Sequence, residues 1–126
     1  MFCRQLYLDP DTSKQFNSLR RKFRNHNFPS GIYVIVLSKT SGRVEYFDCK
    51  SLKQKYYKET GNYPLIIGLA KGAESAQNIV LHIVQETYEN RKNADVKAYI
   101  KDKIGDISSD KYKKYDIIVV EQKGEK

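Results

Sequence analysis

The stretch Leu65-Ile66-Ile67-Gly68-Leu69-Ala70 decides the fold, because its unbroken apolar character predicts a strand that is buried on both faces. Lys71 and Gly72 follow it, and residues 73–91 then repeat apolar side chains at helical spacing. A strand that leads through a glycine turn into a long helix predicts a sheet with helices packed on it. The apolar face of this helix is predicted to contain Ala73, Ala76, Ile79, Val80, Ile83, Val84 and Tyr88.

The other face of the long helix is polar and is expected to contain His82 and Glu86. Downstream, Asp95 is a helix cap for a further helix that ends at Gly105, and residues 117–120 predict a last strand. Upstream, residues 31–37 are as apolar as residues 65–70. They predict a hairpin with residues 43–47 across the turn at residues 40–42.

The N-terminal third predicts a strand at residues 2–8 and one helix after it. Asp9 is the expected N-cap and Pro10 the first helical residue. Phe16, Leu19 and Phe23 form a single apolar stripe on this helix, and basic side chains lie beside the stripe. A second, shorter helix is predicted to open with a capping box at residues 51–54 and to end at residue 61.

The predicted order is β-α-β-β-α-β-α-α-β, which favours an α+β or α/β fold with a mixed sheet of about five strands covered by helices. The length of 126 residues is that of one ordinary domain. We therefore expect a single domain over residues 1–122 and a disordered tail over residues 123–126. The residue usage, rich in lysine, isoleucine, asparagine and tyrosine, resembles that of proteins from AT-rich bacterial genomes.

The positive charge is concentrated in one segment. The chain has a net charge of +8, and no Asp or Glu occurs between Thr12 and Val44. Residues 12–58 contain eleven lysines and arginines against Glu45 and Asp48, whereas the rest of the chain is close to neutral. A one-sided basic field attracts polyanions at long range.

Nucleic acid, or another polyanion, is therefore the leading predicted partner. The residues expected to contact phosphates are Lys14, Arg20, Arg21, Lys22, Arg24, Lys53 and Lys55. Tyrosines lie among lysines at residues 55–58 and 111–115, a pattern that stacks bases in single-strand binders. Tyr56 also lies four residues after Leu52, which would equally suit a core anchor. A protein-interaction or homo-oligomeric module, with the basic stripe as a solvated face, remains the alternative.

A third interpretation is a small phosphate-containing ligand at the turn formed by Gly68, Lys71 and Gly72, where a helix N-terminus would offer backbone N–H groups. The structural alternative is that these glycines serve close packing and a tight turn. Asp48-Cys49-Lys50 resembles the acid-x-Lys element of metal-dependent nucleases, but no second carboxylate is evident on the partner strand. No catalytic residue, cofactor or metal site is predicted, so a binding domain is favoured over an enzyme.

The two cysteines, Cys3 and Cys49, are too few for a disulfide framework and are expected to be buried thiols. They could form a redox pair only if the first and third strands were neighbours. The longest apolar run, residues 32–37, is far shorter than the roughly 20 residues that span a bilayer. The N-terminus shows no apolar region behind a basic start, which is the pattern of a signal peptide. We therefore expect a cytoplasmic protein without a membrane partner.

Overall fold

The computed structural model describes residues 2–38, 41–105 and 115–121. The strands are β1 (Phe2–Leu8), β2 (Ile32–Leu37), β3 (Val44–Asp48), β4 (Leu65–Lys71) and β5 (Asp116–Val119). The α-helices are α1 (Pro10–Lys14), α2 (Phe16–Arg24), α3 (Lys55–Thr60), α4 (Ala73–Arg91) and α5 (Val96–Ile104), and a 3₁₀ helix spans Cys49–Lys53. The predicted tail and four of the five residues of the second lysine–tyrosine cluster, residues 111–114, lie outside the described residues.

The five strands form one mixed sheet in the order β3-β2-β4-β1-β5. β1 is parallel to both of its neighbours, β4 and β5, whereas β2 is antiparallel to β3 and to β4. The predicted hairpin of β2 and β3 is confirmed, and so is the predicted α+β fold with a mixed sheet of five strands covered by helices. Because β1 lies between β4 and β5, the connection through α4 and α5 passes over one strand.

Helices cover both faces of this sheet, and the alternation of side chains along β2 shows the two cores. Val34 and Val36 point to a core formed with α2 and the 3₁₀ helix. Ile35 and Leu37 point to a core formed with α4 and α5. We refer to these as the α2 face and the α4 face of the sheet. Burial on both faces is what the unbroken apolar character of β2 and β4 predicts.

The single helix predicted after β1 is wrong, because the chain breaks there into α1 and α2. Gln15, with φ −106° and ψ 11°, separates the two helices. Asp9 is the N-cap as predicted, its side chain accepting from the Thr12 N–H at 2.7 Å. Thr12 is buried and its hydroxyl donates to the Leu69 carbonyl at 3.0 Å. This contact joins α1 to the end of β4. The break at Gln15 changes the direction of the chain, so that the phenylalanines of α2 pack on the sheet.

The capping box predicted at residues 51–54 is also wrong. Asp48 starts the helical turn earlier, because its carboxylate accepts from the Lys50 N–H at 2.9 Å. The resulting 3₁₀ helix buries Leu52 completely. Gln54 is extended, at ψ 144°, and separates this turn from α3, which ends at Gly61 in the left-handed conformation as expected.

Helix α4 has the predicted bounds but a narrower buried face. Ala76, Ile79, Ile83 and Thr87 are its buried residues. Thr87 is accommodated because its hydroxyl donates to the Ile83 carbonyl at 2.8 Å. The predicted apolar residues Ala73 and Tyr88 are exposed instead. Helix α5 has the predicted Asp95 cap, with an Asp95–Ala98 N–H distance of 3.1 Å.

Gly68 is explained by the approach of two strands rather than by helix packing. A Cβ atom at this position would lie 2.7 Å from the Tyr7 carbonyl oxygen of the neighbouring strand. Gly72 has φ +96°, which is strained for other residues, so it supplies the tight turn before α4.

Candidate functional site

Three elements of the basic segment, α2, the 3₁₀ helix and α3, lie on one side of the sheet. Helix α2 and the 3₁₀ helix both pack their apolar residues into the core of the α2 face, and Tyr57 of α3 packs against the same core. The elements that carry the predicted phosphate contacts, apart from α1, therefore cover one face. The exposed members of the set are Lys14, Arg21, Lys22, Arg24, Lys53 and Lys55, and Arg20 is half-buried. We call these seven residues the basic surface.

The described acids of other elements do not pair with the basic surface. Among the described residues, the one carboxylate within 4.0 Å of its cations is Glu59, at 3.7 Å from the Lys55 ammonium one helical turn away. Such an exposed pair contributes little stability and leaves the lysine accessible. The Arg20 guanidinium lies over the Tyr115 ring, 5.2 Å from its centroid. Its orientation is therefore fixed by an aromatic ring rather than by an acid.

A line of stacked aromatic rings connects the end of α2 with α3. His26, just after α2, stacks on Tyr63 with ring centroids 5.5 Å apart and an interplanar angle of 23°. Tyr63 in turn stacks on Tyr57, at 5.6 Å and 18°. His26 has φ +57°, a left-handed conformation that turns the chain back toward the sheet. The loop after α2 and helix α3, which are separated in sequence by two strands, are thereby held together.

A groove opens beside these rings, between α3 and the β2–β3 hairpin. It has a volume of about 390 Å³, and its walls include Glu45, Phe47, Tyr56, Tyr57 and Tyr63. Tyr56 is 57% exposed, so the alternative in which it anchors α3 in the core is wrong. That role belongs to Tyr57, which packs against the core of the α2 face.

At the Gly68–Gly72 turn, Asp9 already occupies the position of an anion. One carboxylate oxygen of Asp9 accepts from the Lys71 N–H at 2.8 Å and from the Ser75 hydroxyl. The Gly72 N–H donates to the Gly31 carbonyl at 3.0 Å. A ligand phosphate at this turn would therefore have to displace a carboxylate of the protein itself, and the ligand interpretation stays a prediction.

The Asp9 carboxylate lies at the ends of two neighbouring parallel strands, β1 and β4, from which the chain continues to opposite faces of the sheet. After β1 it turns to the α2 face, and after β4 it turns to the α4 face; in open sheets such a point forms a crevice. Asp9 is only 2% exposed there. Burial by itself would raise its pKa, but hydrogen bonds from Ser75, from the Lys71 N–H and from Thr12 outweigh this and lower the pKa of Asp9 below its usual value.

A second polar cluster, which the sequence pattern did not predict, is centred on Glu86. Its carboxylate accepts from the Tyr7 hydroxyl at 2.8 Å and from the Tyr99 hydroxyl at 2.7 Å. Lys103 Nζ lies 3.6 Å from the oxygen that accepts from the tyrosines, Oε2, and His82 Nε2 lies 3.2 Å from the other oxygen, Oε1. The sequence predicts that Glu86 faces solvent. The sequence did contain a signal for this position. Glu86 lies three residues after Ile83, a spacing that places the two side chains close together on one side of a helix.

The Glu86 cluster stabilises charge rather than activating a nucleophile. Burial would raise the pKa of Glu86, but the hydrogen bonds from Tyr99 and Tyr7 and the charge of Lys103 lower it. Burial and the neighbouring carboxylate raise the pKa of both tyrosines far above the usual value. Both hydroxyls therefore remain protonated donors, which makes the cluster a structural junction of β1, α4 and α5.

Asp48 and the cysteines show no geometry of a reactive site. The carboxylate of Asp48 accepts from the Lys50 and Gly31 N–H groups. Cys3 and Cys49 are free, buried thiols in the cores of opposite faces, as expected. Because β1 and β3 are separated by two strands, the condition for a redox pair is not met. Burial, followed by the Asp48 charge, raises the pKa of Cys49 to about 12.

Over residues 2–38, 41–105 and 115–121, no cluster of three or more His, Cys, Asp or Glu side chains is arranged to hold a metal ion. Within the same ranges, no helix combines the length and the apolar character that crossing a membrane requires. Comparison of the chain with protein-family models, with curated proteins and with solved structures gave no match.

Proposed function

We propose that this protein binds nucleic acid, as a polyanion, through the basic surface. The single observation that carries the proposal is that the cations of α2 and of the 3₁₀–α3 region lie on the same face of the sheet and, among the described residues, have no carboxylate from another element within 4.0 Å. Unneutralised cations on one face attract a phosphate backbone and release its counterions on binding.

The arginines supply most of the expected contacts. Arg21 and Arg24 are exposed on α2, and each guanidinium can donate two parallel hydrogen bonds to one phosphate. Arg20 lies against Tyr115, so its guanidinium loses less freedom when it binds. Lys53 and Lys55 extend the surface as point charges. The contacts are to phosphates and carry no base specificity of their own.

The test compares two variants that change the net charge equally. Arg21→Gln/Arg24→Gln removes two cations from the basic surface, and Lys92→Gln/Lys101→Gln removes two exposed lysines from the end of α4 and from α5. We expect the first variant to bind a fluorescent oligonucleotide several-fold more weakly at low salt. The slope of log affinity against log salt should decrease in magnitude by about 1.4 for a single strand, two contacts at about 0.7 each. The second variant should bind like the wild type.

Two outcomes would overturn the proposal. One is the absence of binding to single- and double-stranded probes by micromolar wild-type protein at low salt. The other is an equal loss in both variants, which would show a general charge effect rather than a binding surface.

Self-association is the second candidate function, and β5 is the observation that favours it. In the described part of the chain the sheet ends at β5, and Ile117 and Val119 on this strand are 40% and 44% exposed. An edge strand with exposed apolar side chains can pair with a second copy. Light scattering distinguishes the candidates: a concentration-dependent dimer without oligonucleotide binding would favour this role.

A further inference from the structure

We propose that the groove beside α3 receives an unpaired base, so that the nucleic acid bound by this protein is single-stranded. The inference rests on the proposed function and adds the class of nucleic acid. We call the site the tyrosine groove and define it by Glu45, Phe47, Tyr56, Tyr57, Asn62 and Tyr63.

The first argument is the exposure of a ring that the fold does not need. Tyr56 is 57% exposed, whereas Tyr57 next to it packs against the core. The two rings meet edge to face, with centroids 5.4 Å apart and an interplanar angle of 71°. The groove volume of about 390 Å³ lies within the roughly 300–1,000 Å³ of small-ligand sites. An aromatic wall of this kind offers a base a surface for stacking.

The second argument is the combination of rings with hydrogen-bonding groups. Glu45 and Asn62 lie in the same groove walls. A carboxylate accepts from the exocyclic amino group of a base, and an amide both donates and accepts. A groove that held only an apolar side chain of a protein partner would gain nothing from these groups. Their presence favours a flat, polar-edged aromatic ligand.

The third argument is continuity with the basic surface. Tyr56 and Tyr57 are flanked by Lys55 and Lys58 on α3. The stacked rings of Tyr57, Tyr63 and His26 lead from the groove to the end of α2, directly after Arg24. A strand whose phosphates follow the cations would therefore pass the groove. Aromatic rings among cations are how single-strand binders hold bases without reading their sequence.

A duplex does not fit this arrangement, because its bases are stacked on one another and expose no faces. The α4 face provides a contrast within the same molecule. Its groove of about 450 Å³ is lined by residues that include Arg43, Val80, Val84 and Asp95, and none of its described lining residues is aromatic. Stacking is thus available on the face that carries the basic surface.

The experiment compares a deoxycytidine oligonucleotide, whose bases carry an exocyclic amino group, with an abasic strand of the same length and charge. We expect wild-type protein to prefer the strand with bases. Tyr56→Ala should weaken binding of that strand about tenfold, which corresponds to about 1.4 kcal/mol, and leave the abasic strand unaffected. Tyr56→Phe keeps the ring and should bind like the wild type. Tyr88→Ala, which removes an equally exposed tyrosine from α4, is the matched control.

A 2-aminopurine in the strand reports stacking directly, and its fluorescence should change with wild-type protein but not with Tyr56→Ala. Equal affinity for both strands, unchanged by Tyr56→Ala, would overturn the tyrosine groove while leaving polyanion binding intact. Failure of both strands to bind at low salt would overturn the proposed function as well. Circular dichroism of each variant verifies that it is folded.

Discussion

Asp9 shows how much one side chain can determine. Its carboxylate caps α1 through Thr12 and also fills the turn before α4 through Lys71 and Ser75. In other proteins a helix N-terminus often binds an anionic ligand. Here the Asp9 carboxylate supplies the negative charge at the turn before α4. The same residue therefore connects the ends of β1 and β4 and competes with any phosphate at the turn.

Replacing Asp9 tests this role. In Asp9→Asn, the amide NH₂ group replaces one of the two carboxylate oxygens and cannot accept a hydrogen bond. At least one N–H group that now donates to Asp9 therefore loses its partner. We expect the free energy of unfolding to fall by about 1–3 kcal/mol. Asp11→Asn, an exposed carboxylate in the same helix, should stay within about 0.5 kcal/mol of the wild type in urea denaturation. Equal stability of the two variants would contradict the role given to Asp9.

Glu86 acts at the scale of elements, because its carboxylate joins three of them. Tyr7 donates from β1, Tyr99 donates from α5, and Glu86 itself lies on α4. Gln5 Nε2, on β1, donates to the Tyr7 hydroxyl at 2.8 Å, so the cluster continues into the sheet. Fully satisfied polar clusters of this kind determine how elements dock, since a half-satisfied cluster is costly.

Tyr7→Phe and Tyr99→Phe test this docking. Tyr7 is fully buried, so its loss should cost about 1.5–3 kcal/mol, the range of hydrogen bonds to charged groups. Because both hydroxyls donate to the same oxygen, the double variant should deviate from additivity by at least about 0.5 kcal/mol. Tyr88→Phe, on the exposed side of α4, is the control. Additive effects in urea denaturation would show that the two tyrosines act independently.

At the scale of the whole molecule, the cations proposed to bind nucleic acid and the polar cluster that joins the elements lie on opposite sides of the sheet. Apart from Lys14 on α1, the basic surface lies on the α2 face, whereas the Glu86 cluster lies on the α4 face, with the sheet between them. Substitutions for binding studies can therefore be made on one face without disturbing the polar network of the other.

The pH dependence of stability belongs to this scale, because two carboxylates on different elements contribute to it. The pKa values of Asp9 and Glu86 are lowered in the folded state, so the unfolded chain binds more protons than the folded chain in mildly acidic solution. Their contribution is complete above the ordinary carboxyl pKa of about 4 and decreases as the pH falls toward the lowered values.

The expected result is a free energy of unfolding that decreases below about pH 4.5 in the wild type and decreases less steeply in Asp9→Asn/Glu86→Gln. Thermal unfolding by circular dichroism between pH 3 and pH 7 measures this. The high net charge adds acid sensitivity of its own through repulsion, but it does so in both proteins. Parallel curves for wild type and variant would contradict the contribution of these two groups.

Local patterns determined the order of strands and helices. The apolar runs of β2 and β4, the period of α4 and the Asp95 cap are each set by neighbours within a few residues, and these elements formed as predicted. Two predictions from local patterns were wrong, because a neighbouring residue started or interrupted a helix at another position. Asp48 started a turn that the capping box at residues 51–54 was expected to start, and Gln15 interrupted a helix whose apolar period runs through it.

The sequence alone thus determined the fold class, the hairpin and the concentration of positive charge between residues 12 and 58, because these depend on residue type and short spacing. Only the tertiary structure decided that Asp9 fills the turn before α4, that Glu86 joins β1, α4 and α5, and that Tyr56 stays exposed in a groove beside the cations. Each of these joins residues or surfaces that are far apart in the chain, and no local rule specifies such a contact. They arise because the strand order and the sheet face of each helix are chosen by burial of the whole apolar surface.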